Sequence, residues 1–361
     1  MGRGCAPEGI IHSLFMMADI HYRLHNRFSD FKEDQWDGLL ANASTNVPFL
    51  KHGYLDRWWQ FRGGGEWPMD AEISMIAGYQ GHDQDAALIG IAPFFLVKDR
   101  DETVLHFLGG VEISDYLDFI CTPGQMAFFL EGLFSGFISQ SMPQVSGLVL
   151  DNLPEDSPAI RYLEGPLAPA GCNIVVEKSY HTPVIWLADS WDAYLAGIDK
   201  KQRHEIRRKL RRAGELDGGV QWSILTDPAR LDQASQDFLN MMALDPEKSR
   251  FLTPAMRKQM TAIIQWAFHA GLLQLAFLTI HGENAAAYLC FDYGNRIWVY
   301  NSAIDQRFRE HSPGWVLLAY LIRHAIETGK ASFDFMRGDE DYKYRFGAVD
   351  SFVMKAVIRY S

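Results

Sequence analysis

Cysteine is scarce in this sequence. Four of them, Cys5, Cys121, Cys172 and Cys290, stand far apart in 361 residues, and no CxxC pair occurs. That spacing excludes a small disulfide framework and a cysteine-built zinc site. Cys121 and Cys290 lie in apolar runs, where cysteine serves as a small buried hydrophobe. No apolar run reaches the ~18 residues of a membrane-spanning helix. Residues 10–20 (IIHSLFMMADI) are broken by His12, Ser13 and Asp19 and lack a small-residue cleavage site, so no signal peptide is expected. Gly2 lacks the Ser or Thr that myristoylation favours four positions on, where Ala6 stands. A cytoplasmic protein is expected, with residues 1–30 an N-terminal extension. The G-x-S-x-G elbow of serine hydrolases is missing, and Gly63–Gly65 lacks the Lys-Ser/Thr of a P-loop. His21 and His25 have no third ligand, so no metal is expected.

Positive charge is also short overall, 34 Lys plus Arg against 45 Asp plus Glu, a net -11. Such a chain does not coat nucleic acid, since that affinity comes from neutralising phosphates. One segment reverses the sign. Lys200 to Arg212 holds eight basic residues and one acid, Glu205, a local +7 that leaves -18 for the rest. Ile206, Leu210 and Ala213 form its narrow apolar stripe; Arg203, Arg207 and Arg211 line a second face, Arg208 and Arg212 a third. Clustered like charges repel unless acids or a polyanion face them. Docking on the protein's own acidic surface and binding of phosphates from CoA, a nucleotide-sugar or tRNA are the two accounts.

The length favours two domains. We expect an α+β chain with a first domain over 31–189, basic linker helices over 190–215 and a second domain over 216–361. In the first, two amphipathic helices (Trp36, Leu39 and Leu40 on one face; Tyr54, Trp58 and Phe61 on the next) precede strands at 71–78, 86–97, 103–110 and 116–121. A helix over 124–140 and strands at 147–153, 173–178 and 183–187 follow. The second shows a strand at 220–225, helices at 228–243 and 254–270, and strands at 272–280, 285–293 and 296–304. A helix over 313–328 then leads into a strand at 331–336. Each half thus runs from strands through a helix into a strand and an acidic loop, a topological echo.

The richest segment is 305–347, DQRFREHSPGWVLLAYLIRHAIETGKASFDFMRGDEDYKYRFG. Ser312-Pro313 is a good helix start, Ser as cap and Pro at the first position, and Gly314 would admit a ligand to the backbone. With Arg307, Arg309 and His311 before it, this terminus suits phosphate or pyrophosphate, or is an ordinary capped surface helix. Asp334 faces away from Phe333 and Phe335 in an apolar strand, so it is hydrogen-bonded, shifted in pKa, or in a cleft. Asp339, Glu340 and Asp341 stand beside Tyr342, Lys343, Tyr344 and Arg345. An acid to take a proton, a tyrosine to give one and a lysine to neutralise charge suit acyl transfer to an amine, against a solvated salt-bridged loop.

This segment resembles the C-terminal domain of GNAT-superfamily acyltransferases of the FemAB-like type, and most nearly the BioF2-like, cellulose-biosynthesis acetyltransferases. R-F-R-x-x-S-P-G before a long helix and F-D-F-M-R-G-D-E-x-Y-K-x-R-F-G after the next strand carry the likeness. VPFLKHGYLDRWW, IGIAPFF, FLGGVEISDYLDF and KKQRHEIRRKLRR extend it from about Trp36 to Phe346. The resemblance implies two tandem GNAT-like domains with mixed sheets flanked by helices. It implies acetyl-CoA as acyl donor, its pyrophosphate held by Arg307, His311, Ser312, Pro313 and Gly314, and its carbonyl polarised near Tyr300 or Asn301. The superfamily loop is glycine-rich, Q/R-x-x-G-x-G/A; here Gly314 alone remains, as in relatives that use aminoacyl-tRNA. Lys343 matches a lysine that stabilises a charged intermediate in Fem-type ligases. Asp334 or Asp339 would accept the amine proton and Tyr342 protonate the leaving group. Asp115 and Tyr116 would face the acceptor at the interdomain cleft, and Arg203, Arg207 and Arg337 are further substrate candidates. The implied reaction is N-acyl transfer to a small molecule, amino sugar or glycan precursor of an exopolysaccharide pathway. An aminoacyl-tRNA-dependent ligase and a non-catalytic binding module are the alternatives, and the oligomeric state stays open.

Overall fold

The computed structural model describes residues 20–81, 86–99, 102–216 and 218–360. Its first half holds strand β1 (Ile20–His25), helices α1 (Glu33–Leu40) and α2 (His52–Gly65), and strands β2 (Glu72–Ile73), β3 (Met75–Gln80) and β4 (Ala87–Ala92). Strands β5 (Phe94–Asp99) and β6 (Glu102–Phe107), helix α3 (Gly110–Ile113) and strand β7 (Ile120–Cys121) come next. Helix α4 (Met126–Glu131) passes through a π-helical stretch, Gly132–Ile138, into α5 (Ser139–Ser141). Then come β8 (Gly147–Pro154), α6 (Pro158–Leu163), β9 (Cys172–His181) and β10 (Val184–Trp186).

The second half opens with α7 (Trp191–Gly197), the basic helix α8 (Lys200–Gly214), β11 (Val220–Ile224), α9 (Leu231–Met242), α10 (Pro246–Phe251) and α11 (Pro254–His269). Strands β12 (Leu273–Ile280), β13 (Glu283–Tyr293) and β14 (Arg296–Ile304) lead to α12 (Pro313–Glu327), β15 (Ser332–Asp334), α13 (Asp341–Arg345) and β16 (Phe352–Tyr360).

These strands form three sheets, β1-β3-β4-β7, β2-β5-β6-β8-β16-β9 and β10-β15-β14-β13-β12-β11. Pro93 explains why the apolar run expected at 86–97 is two strands. It interrupts the ladder, and β4 and β5 join different sheets. Each half contains one parallel pair, β6 with β8 and β14 with β15, with a helical crossover between its members. That is the echo expected from the sequence.

The sheets do not divide at residue 189. Strand β10 pairs antiparallel with β15 of the second half, while β16 inserts between β8 and β9 of the first. The segment FVMKAVIRY of β16 places Val353, Ala356 and Ile358 in the core, an alternation the sequence reading passed over. β1 also departs from expectation: within the extension expected over 1–30, Ile20–His25 pairs with β3. Cys5 and most of the apolar stretch at 10–20 lie outside the described residues.

Alternation along β13 shows how the second-half sheet is buried on both faces. Ala287, Leu289 and Phe291 join the core shared with the first half, while Ala286, Tyr288 and Cys290 pack in a second core with α12. Helices α2 and α11 approach closely because residue 53 is glycine; a Cβ there would meet the Trp266 indole at 2.1 Å. At the end of α2, Arg62, Gly63, Gly64 and Gly65 all have positive φ, and a Cβ on Gly64 would meet the Met256 backbone at 2.9 Å. Glycine there serves both the left-handed turn and the contact.

Because β16 is an interior strand of the first-half sheet, Ile358→Ala should cost about 2–5 kcal/mol. Urea denaturation of the full chain should show this as one shifted transition.

Candidate functional site

Strands β14 and β15 pair in register only from Arg296↔Ser332 to Trp298↔Asp334. Beyond that point the pairing stops, and Met336 and Gly338, with φ of 57° and 112°, turn the chain. Opposite, the β13–β14 register jumps from Leu289↔Asn301 to Cys290↔Val299, leaving Tyr300 as the extra residue of a β-bulge. A bulge frees backbone groups from the ladder and re-aims side chains, and bulges gather near active sites. It falls on the two residues singled out from the sequence, Tyr300 and Asn301.

Neither side chain is idle. The Tyr300 hydroxyl donates to the Ile113 carbonyl at 2.9 Å, so the second half reaches into the first. Asn301 accepts from the Lys248 ammonium at 3.0 Å and from the Ser302 amide at 2.8 Å. Lys248 also donates to the Ser302 carbonyl. Burial lowers its pKa, opposed by the charges of Asp245 and Glu340. The sequence reading missed Lys248 because one lysine in a D-P-E-K helix start carries no spacing signal.

The loop after β15 is held from inside. The buried Lys343 ammonium donates to the Arg337 carbonyl at 2.8 Å and the Gly338 carbonyl at 3.0 Å, and pairs with Glu340 at 2.8 Å. Position 338 favours glycine because its φ is 112°, and a Cβ there would also push the Glu340 carboxylate aside. Lys343 therefore shapes this turn, a use not foreseen from the sequence. Tyr342 packs its ring edge-on against Phe335, and burial raises its phenol pKa, helped by Glu340. Asp339 is exposed, without a hydrogen bond or ion pair among the described residues.

Asp115 and Tyr116, expected to meet an acceptor, grip the second half, and Tyr116 also lines a cavity between the halves. Asp115 forms an ion pair with Arg337 and accepts from its backbone amide at 3.2 Å. The Arg337 side chain also donates to the Glu112 carbonyl at 3.2 Å. The Tyr116 hydroxyl reaches both oxygens of Asp334 at 3.1 Å. Asp334, fully buried, further accepts from Arg296 at 3.0 Å and the Met336 amide at 2.7 Å. Burial pushes its pKa up to about 6 against the pull of Arg296. With every contact made inside the protein, Asp334 is built as a joint and not as a base open to an acceptor. Arg296 was overlooked because a charge opening a strand reads as solvated.

At the far end of β14 stands the N-terminus of α12. Ser312 is left-handed, φ 51° and ψ 50°, and its side chain does not cap the helix as expected. Its hydroxyl accepts from Lys209 of α8 at 2.8 Å instead. A cavity of about 240 Å³ between the two helices is lined by Arg208, Lys209, Arg212, His311 and Ser312 among others. Glu215 and Glu310 line it too, so three cations and a histidine meet two acids beside the positive end of the α12 dipole, a setting that can take phosphate. Pro313 opens the helix and is buried. Gly314 also lets α12 pack closely on β14, since a Cβ there would meet the Ile304 side chain at 2.4 Å. Arg307 is held by Asp305 and Glu283, away from that cavity. Arg203 binds the carbonyls of Leu195 and Ala196, and Arg207 is exposed. Among the described residues no His, Cys, Asp or Glu group could hold a metal, and no helix is long and apolar enough to cross a membrane.

Residues 200–344 match the family model of the acetyltransferase (GNAT) domain. Among solved structures the chain resembles FemX, at 13% identity and a TM-score of 0.63, over 90% of this chain and 96% of that one. A conserved protein of unknown function from Bacteroides thetaiotaomicron is similar at 10% identity and 0.57, over 94% and 100%. L-PGS from Bacillus licheniformis is similar at 12% and 0.51, over 91% and 92%. No curated protein matches the chain in sequence. Residues 200–344 thus match a GNAT acetyltransferase domain, and the chain as a whole shares the α+β fold of FemX.

The Asp334 joint has a pH signature. Its folded pKa, about 6, lies above the ordinary 3.8, so the folded protein holds a proton that the unfolded chain releases. The stability this contributes is full below about pH 4 and lost as pH rises through about 6. Thermal denaturation across that window should show a flatter pH dependence in Asp334→Asn than in the parent.

Proposed function

We propose that this protein is an N-acyltransferase that moves an acyl group, acetyl first among them, from acyl-CoA to an amine of a small molecule, amino sugar or glycan precursor. One observation carries the reading: a helix terminus without a side-chain cap, beside a cavity lined by Arg208, Lys209, Arg212 and His311 against Glu215 and Glu310, at the end of a parallel strand pair whose inner strand bulges at Tyr300. Acyl-CoA supplies an activated thioester and a pyrophosphate. Lys209, Arg212, His311 and the first amides of α12 would hold the pyrophosphate. Backbone amides freed at the bulge would face the carbonyl, the arrangement that stabilises developing negative charge.

Tyr342 keeps its proton through neutral pH, because burial disfavours phenolate, so it suits a general acid. Asp339, exposed beside the cleft loop, is the carboxylate left to take the amine proton, directly or through water. Lys343 holds the 337–340 turn in shape and brings positive charge to it. Asp115, Tyr116, Asp334 and Arg337 act as positioning residues that fix the cleft between the halves. The amine acceptor would approach past Lys248 and Asn301, and an exopolysaccharide precursor in the cytoplasm is the pathway setting this reading favours.

A second reading, transfer of an aminoacyl group from tRNA, is favoured by the fold shared with FemX and by Arg207, Arg211 and Arg212 exposed along α8. Salt separates the two, since tRNA binding across several phosphates falls steeply with ionic strength.

Calorimetry with acetyl-CoA should show saturable binding, weakened about tenfold or more in Lys209→Ala/Arg212→Ala, for loss of charge-assisted contacts worth about 1.5–3 kcal/mol each. No binding at millimolar donor would sink the CoA reading. Tyr342→Phe should lower kcat by about 10²–10⁴ with donor affinity kept. Unchanged turnover in Tyr342→Phe, Lys343→Ala and Asp339→Asn alike would make this loop purely structural.

A further inference from the structure

A larger cavity, about 450 Å³, opens where β14 begins, the end opposite α12. From Arg296 to Ile304 the strand spans roughly 26 Å, so this cavity and the helix terminus are well apart. Its walls come from both halves, with Trp186 of β10, Arg296 and Trp298 of β14, and the loops carrying Glu155, Asp156 and Asp350.

Trp186 is 65% exposed, an unusual position for the largest apolar side chain. It is nevertheless held in place. The Arg296 guanidinium lies 5.6 Å from the Trp186 ring and 4.8 Å from that of Trp298, and is anchored by the fully buried Asp334. An indole backed by an anchored cation is a preformed flat surface, and preformed surfaces lose little entropy when they bind.

The charges around it point the same way. Asp334 neutralises Arg296 from below, whereas three carboxylates face the opening. Glu155 accepts from the Phe352 amide at 3.1 Å through one oxygen, and its other oxygen has only Lys178, at 3.9 Å. Asp350 pairs with His181 at 3.2 Å and accepts from the Tyr344 hydroxyl at 2.7 Å. The Asp156 carboxylate has no hydrogen bond or ion pair among the described residues; only its backbone carbonyl is bonded, to Arg161. This field repels phosphates and carboxylates and attracts cations. An aromatic plane ringed by acceptors fits a pyranose. The sugar's C–H face lies on the indole, its hydroxyls donate to the carboxylates, and a ring ammonium adds the charge that the acids lack.

We infer that this cavity binds an amine-bearing pyranose unit of a glycan. The assignment goes beyond acyl transfer and concerns a site remote from the donor, so its failure leaves that chemistry untouched.

The test uses the full chain, with a fully deacetylated glucosamine tetramer and the neutral glucose tetramer as probes. Tryptophan fluorescence and calorimetry should show saturable binding at millimolar or lower concentration, about tenfold tighter for the amine-bearing probe at low salt. Trp186→Ala should abolish it, Trp186→Phe retain part of it, and Asp156→Asn narrow the preference for the amine. All three should keep the parent circular dichroism and acetyl-CoA titration, because both side chains are exposed. No binding at millimolar probe, or full affinity in Trp186→Ala, would overturn the site. Equal affinity for the two tetramers would overturn its assignment to an amine-bearing sugar.

Discussion

The buried carboxylate of Asp334 is the constraint on which the rest of this structure turns. A charge removed from water costs several kcal/mol unless partners meet it. Here one partner, Tyr116, comes from the first half, a second, Arg296, from the neighbouring strand, and a third is the amide of Met336 two residues on. One side chain thereby fixes where β14 and β15 stop pairing, how the loop after β15 leaves, and how the first half lies against both. The Asp115–Arg337 pair repeats the clamp one residue back in the first half and three residues on in the second. Two adjacent residues of one half thus hold two nearby residues of the other.

Strand exchange makes that clamp hard to open. Because β10 lies in the second-half sheet and β16 in the first, rigid-body separation of the halves would break both ladders. A cleft bounded by elements so interlaced is preorganised. The cost of positioning the groups that line it is met in folding.

Regular periodicity made much of this fold legible in the sequence, and irregular partnership hid the rest. The apolar, β-rich runs AAAYLCFDY and RIWVYNSAI, and the Ser-Pro start of α12, announced their elements because each is a local pattern. The chemistry around 334–343 was legible as composition. The use of each residue was not. Lys343 serves four groups of its own loop, Asp334 is sealed by Tyr116 from 218 residues away, and Gly314 packs on Ile304. Such assignments depend on which side chains tertiary folding brings together. Strand β16 was missed for a related reason: its short alternating run has meaning only once β8 and β9 flank it.

The reversal of charge at α8 now has a spatial counterpart. Along β14 the strand runs between opposite fields, acidic at the Arg296 end because Asp334 cancels the arginine there, and basic at the Ile304 end where α8 and α12 meet. A uniformly acidic protein would repel an anionic donor everywhere. Concentrating +7 on one helix beside the start of α12 turns the local field positive within an acidic whole, with Glu205, Glu215 and Glu310 offsetting part of it. Within a rigid strand pair, the two fields sort ligands by sign. That sorting is encoded neither in the net charge nor in any single motif, but in which charges the fold leaves unpaired.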